Sequence, residues 1–194
     1  VLFRSRQPLQ RSTHPMASVP KLLLVDINVL GFASMHQARL VRLPVHIVQN
    51  PAPDLGQASS LHLGLRALPE PSEGVVVALA DQPLITAADV ADLLQAFTRR
   101  PTGTDMLVPV VAGLPGNPVV FSESVRRDLL ASGSDVGGKQ WQRAHPEQLY
   151  RWPTANENYR QDVDSPADVA TLAAQKNVHL SWATDNPAKP ADRG

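Results

Sequence analysis

The stretch VVVALADQPLITAADVADLL, residues 75–94, decides the fold. It opens on an unbroken apolar run over 75–80. A strand with one wet face alternates apolar and polar residues, whereas a central strand buried on both faces reads as a continuous run. The run stops at Asp81, and Pro83 fixes the backbone just beyond it. Helical spacing then takes over. Thr86 with Asp89 three residues later predicts a capping box, and Val90, Leu93, Leu94 and Phe97 share one helical face.

Working outward, strands are expected at 21–30, 45–49, 106–111, 118–121 and 148–152. Helices are expected at 33–41 (ASMHQARLV), 58–68, 86–97, 124–130 and a segment ending at 144. A last helix should start after Ser165, with Pro166 in its first turn and Asp168 in the capping position. Strands alternating with helices predict an α/β, three-layer domain with a mainly parallel sheet. The expected domain covers 21–176, with a disordered or aberrant N-terminal segment over 1–20 and a C-terminal tail over 177–194, of which TDNPAKPADRG is expected to be disordered.

Composition narrows the function classes. Of 194 residues, 43% are hydrophobic, and 18 Lys+Arg balance 18 Asp+Glu. That balance gives no electrostatic footprint for a nucleic-acid partner. No apolar run approaches the ~18 residues that cross a bilayer. The chain has no cysteine, which excludes disulfides, thiolate metal sites and cysteine nucleophiles and fits a cytoplasmic protein. The opening VLFRSRQPLQRSTHPMASVP carries Arg4, Arg6 and Arg11 before the first acid, Asp26. It reads either as a targeting segment or as a ragged end, and the second is the expectation here.

Two acidic positions have the placement that chemistry needs. Ligands of open α/β sheets bind outside the carboxyl ends of the strands, where Asp81 falls. A single carboxylate there suits Mg²⁺, which takes one or two carboxylates and completes its shell with phosphates and water. Hydrogen bonding to neighbouring loop amides is an equally good account of Asp81. Asp162 and Asp164 sit two apart in an extended segment, so they share a face. Ordinary capping of the next helix explains them as well. The six histidines show no ligand spacing, and Trp141 and Trp152 read as packing residues.

Five segments occur in order: GQASSLHLGLRAL, VVVALADQPLITAADV, PVVAGLPGNPVVFS, SGSDVGGKQWQRAHP and YRQDVDSPADVATL. Together they resemble the MobA-like nucleotidyltransferase family, in its molybdenum cofactor cytidylyltransferase branch. The resemblance implies a Rossmann-like nucleotidyltransferase fold with a mixed, mainly parallel sheet. It implies transfer of CMP from CTP to molybdopterin, with Mg²⁺ and release of pyrophosphate, and a recipient molybdoenzyme or its chaperone as partner. It places Asp81 and Asp164 on the metal, with Asp81 and Lys21 as catalytic residues. Gly56, Ser59, Ser60 and Gln82 fall near the nucleotide, and Asn117, Asp135 and Gly137 near the acceptor.

The sequence departs from the family pattern in two places. Asn117 stands in GNP where the family more often has Gly-His-Pro. The Gly-rich loop that should precede Lys21 is missing, since the first glycine is Gly31. Two other readings follow: a relative using another NTP or acceptor, and a non-catalytic cofactor-binding protein.

Overall fold

A computed structural model describes residues 2–3, 21–25, 45–46, 48–68 and 73–176. The chain falls into two units, Val1–Gln161 and Asp162–Gly194. Their boundary lies inside the stretch read above as one domain. The helix expected at 33–41, the second half of the first strand (26–30), most of the N-terminal segment and the tail lie outside the described residues.

The apolar run forms the strand it predicts. Strand β4, Val75–Leu79, is buried at its first three residues and half-buried at the last two. Eight strands make one sheet among the described residues, in the order β3-β1-β2-β4-β7-β5-β6, with β8 paired to β5. They are β1 (Leu2–Phe3), β2 (Lys21–Val25), β3 (Val45–His46), β4, β5 (Met106–Val111), β6 (Leu114–Pro115), β7 (Val119–Phe121) and β8 (Leu149–Pro153). The third strand is shorter than expected: Val48 and Gln49 leave it ahead of the proline-rich loop.

The sheet is mixed, as expected, but its pairing is mostly antiparallel rather than mainly parallel. β2 and β4 are parallel, as are β5 and β8. β1 runs against both β2 and β3, and β7 against both β4 and β5. Hence β2, β3, β4, β5 and β8 all point one way. Most neighbouring pairs are nevertheless antiparallel, because the short β1, β6 and β7 are interleaved among them. β6 returns from β5 through Ala112 and Gly113, both at positive φ, as a tight hairpin requires.

Five α-helices stand among the described residues: α1 (Gln57–Ala67), α2 (Ala87–Thr98), α3 (Glu123–Ala131), α4 (Gly138–Ala144) and α5 (Pro166–Lys176). The first four belong to the larger unit. Side chains alternate across the strands and feed separate cores. On one face Val75, Val77, Met106, Val108 and Phe121 pack with Leu61 and Leu65 of α1, Val125 and Leu129 of α3 and Trp141 of α4. On the other, Val76, Leu107, Val111 and Val120 pack with Leu93 and Phe97 of α2 and with Tyr159. This is the three-layer arrangement, and each such side chain contributes about 1.5–3 kcal/mol by leaving water.

One charge lies inside the first core. Arg126 is 1% exposed. Its guanidinium donates to the carbonyls of Leu65 (3.1 and 2.8 Å) and Leu68 (2.9 Å), at the end of α1. It also pairs with Glu123 at 2.9 Å. A cation on helix-terminal carbonyls is favoured by the helix dipole and satisfies acceptors that α1 cannot.

Candidate active site

The topology gathers the candidate residues at one edge. α1 connects β3 to β4, which are parallel, so α1 runs back along the sheet. Its first turn therefore starts at the edge where β4 ends and Asp81 follows. α2 connects the parallel β4 and β5 in the same way and also starts there.

At α1, Gly56 occupies the N-cap position with φ 86° and ψ −179°, a backbone open in practice only to glycine. Asn50 organises the first turn. Its Nδ2 donates to the hydroxyls of Ser59 (2.8 Å) and Ser60 (2.9 Å), while its Oδ1 accepts from the Ala52 amide. Ser59 donates in turn to the Gly56 carbonyl at 2.8 Å and is buried. Ser59 is thus committed to shaping the turn, whereas Ser60 is half-buried.

The segment 133–138 meets this helix. Gly137 has Ala58 within ordinary contact of where its Cβ would be, at 3.5 Å. His62 Nε2 lies 2.9 Å from the Val136 carbonyl. Inside the loop, the Val136 amide donates to the Gly133 carbonyl and the Gly137 amide to Gln140 Oε1. A phosphate reaching Gly137 would therefore compete with the Gln140 amide oxygen. Asp135 is exposed beside them.

The turn after β4 is tied to a third segment. Asp81 is half-buried and Gln82 is 5% exposed. Gln82 Nε2 donates to the Tyr159 carbonyl at 3.3 Å, and the Asn117 amide donates to the same oxygen at 2.8 Å. Gly116 passes so close to the Tyr159 carbonyl that a Cβ there would collide with it. Beneath this, the predicted capping box forms: Asp89 accepts from the Thr86 amide and hydroxyl, both 2.8 Å. Asp89 also accepts from Asn156 (2.6 Å) and Asn158 (3.3 Å), and the Tyr159 hydroxyl donates to its carbonyl at 2.7 Å. Burial works to raise the Asp89 carboxyl, but the donors from Thr86, Asn156 and Asn158 prevail and hold it below the ordinary value. The Tyr159 hydroxyl is pushed up by burial and by the charges of Asp89 and Asp92. Trp152 packs edge-on to Tyr159 and Trp141 stacks on His145, so both tryptophans serve packing.

The other expected residues are placed apart. Lys21 opens β2 in register with Val75, whereas Val25 faces Leu79. Its backbone thus stands at the opposite end of β4 from Asp81, and the structure does not bring the two together. Asp164 lies in the second unit. Asp162 and Asp164 are exposed with Val163 half-buried between them, as an extended segment presents them. Capping of α5 is done by Asp168, which accepts from the amides of Asp164 (3.1 Å) and Ser165 (2.8 Å) and from the Ser165 hydroxyl.

Among the described residues no group of three or more His, Asp or Glu could hold a metal ion alone. Mg²⁺ does not need one, since phosphates and water supply most of its shell. One carboxylate at the ligand-binding edge therefore fits an ion that arrives with a triphosphate. None of the described helices is long and apolar enough to cross a membrane.

Residues 8–149 match the model of the MobA-like NTP transferase domain. The chain belongs to that family. Among solved structures, Rv0371c from Mycobacterium tuberculosis is 23% identical, with 79% of this chain and 75% of that one covered and a TM-score of 0.56. The same protein in complex with manganese is 24% identical over 79% and 77%, again at 0.56. A cytidylyltransferase from Leptospira borgpetersenii is 15% identical over 82% and 69%, with a TM-score of 0.59. Identities this low carry the fold and no more. No curated protein matches the chain.

Proposed function

We propose that this family member transfers CMP from CTP to the molybdopterin cofactor. The observation that carries the reading is the shared sheet edge: Asp81 leaves β4 where α1 begins, and the loop 133–138 lies against that helix. A helix start offers amides and a positive dipole to phosphates, and Gly56 lets them approach the backbone closely. Asp81 would hold a Mg²⁺ ion, which when bound neutralises the charge on the triphosphate. The manganese complex of Rv0371c supports a divalent ion in a relative.

In the proposed step a phosphate oxygen of the acceptor forms a bond to the α-phosphorus of CTP. The bond from that phosphorus to the oxygen bridging to the β-phosphate breaks, and pyrophosphate leaves. The attacking oxygen is already anionic, so no general base is needed, and positioning supplies most of the acceleration. Ser60 and Gly56 face the nucleotide, and Asn117, Asp135 and Gly137 the acceptor. We assign Gln82 to holding the turn rather than to contacting the base, because its amide nitrogen already serves Tyr159. Lys21 has no step in this scheme. The product would pass to a molybdoenzyme or its chaperone in the cytoplasm.

Asn117 favours a second reading with another nucleotide or acceptor, because it stands where the family more often has an imidazole. A purified chain incubated with each of the four NTPs, Mg²⁺ and molybdopterin separates the readings by pyrophosphate release. Release with CTP alone is the expected result. Release with a different NTP moves the assignment, and acceptor binding without release makes the chain a non-catalytic relative.

A further inference from the structure

His62 is 2% exposed on the inner face of α1, one residue from Leu61 and three from Leu65. A carbonyl only accepts, so the bond to Val136 requires the proton on Nε2. Nδ1 then carries the lone pair, and it is buried with no partner among the described residues. An imidazole with one dry acceptor is a costly way to fill a core position that leucine would fill freely. What the histidine adds is one N–H directed at a loop far away in sequence. Among the described residues that loop also makes local hydrogen bonds: the Val136 amide to the Gly133 carbonyl, the Gly137 amide to Gln140 Oε1, and the Gln140 and Trp141 amides to the Gly137 carbonyl.

We propose that His62 is a positioning residue that latches the loop 133–138 to α1, fixing the acceptor phosphate's loop relative to the nucleotide's helix. This rests on the proposed transferase reading and adds a residue to it. His62 touches neither substrate. It acts through the Val136 carbonyl, so losing it should leave the nucleotide side intact and loosen the acceptor side.

Two variants test this. His62→Leu keeps volume and removes the donor, and His62→Gln restores a donor of similar reach. Hydrogen exchange of the free chain, followed on the amides of 136–138, needs no substrate. His62→Leu should speed exchange there, with His62→Gln close to the parent. With the transferase active, His62→Leu should raise the acceptor KM roughly two- to tenfold, the range a single hydrogen bond commands, while kcat and the CTP KM stay put. His62→Gln should restore it. Equal loop exchange in parent and His62→Leu overturns the latch, and so does a His62→Gln variant as fast as His62→Leu. If the parent transfers nothing, the functional half falls with the transferase reading, while exchange still decides the latch.

Discussion

Two acidic junctions in this protein are written almost alike and wired differently. One runs Asp81-Gln82-Pro83 into a helix capped by Thr86 and Asp89, the other Asp164-Ser165-Pro166 into a helix capped by Ser165 and Asp168. In both, the capping carboxylate collects an amide and a hydroxyl three residues back. In the second the wiring among the described residues stays local, with the amide of Asp164 added. In the first, Asp89 is 7% exposed and also receives Asn156 and Asn158, from 67 and 69 residues away. Tyr159 adds its hydroxyl below and its carbonyl above, where Gln82 and Asn117 meet it. The same local grammar thus makes a simple cap in one place and a fixed platform in the other. The platform carries Asp81.

The difference can be broken by substitution. Asp89→Ala should cost about 2–4 kcal/mol of unfolding free energy, because it removes a buried carboxylate on which several donors converge. Asp168→Ala should cost clearly less, because that carboxylate serves its own local turn. Denaturant unfolding of both variants checks the contrast, and equal losses would erase it.

Acid sharpens the same contrast. The Asp89 carboxyl titrates lower in the folded chain than the ~3.9 of an unfolded aspartate. Its contribution is therefore complete above that ordinary value and is lost as pH falls through the folded one. Stability should drop with acid below about pH 4, and Asp89→Asn should flatten that limb. Asp168 is lowered too, by the Ser165 hydroxyl and the Asp164 amide, but it is solvated and its removal should barely change the limb. Tyr159→Phe removes one buried hydroxyl bond and should cost about 1 kcal/mol by thermal unfolding, less than Asp89→Ala.

Local pattern explains what the sequence made legible. The strand over 106–111, both capping boxes and the helix-forming faces depend on neighbours within a few residues, and they stand where spacing predicts them. Asp81 was legible as a strand-end acid because a doubly buried strand declares itself by composition. The partners that finish the site were not legible. Asn50, Asn156 and Asn158 sit in loops where asparagine is common, and nothing in their neighbourhood points to Ser60 or Asp89. Nothing local in the sequence marks Arg126 for burial; topology places Leu65 and Leu68 beside it, 61 and 58 residues away. Lys21 shows the converse: a family motif suggested a charge beside the phosphates, and the strand register set its backbone at the other end of the sheet.

The central claim is that this edge takes a metal–nucleotide through Asp81. Calorimetric titration of CTP into the parent chain and into Asp81→Ala, each with and without Mg²⁺, tests it most directly. Mg²⁺-dependent binding by the parent, weakened at least roughly tenfold in Asp81→Ala with the unfolding midpoint unchanged, is the predicted result. Binding that ignores Mg²⁺, or that survives in Asp81→Ala at the parent's affinity, would contradict it.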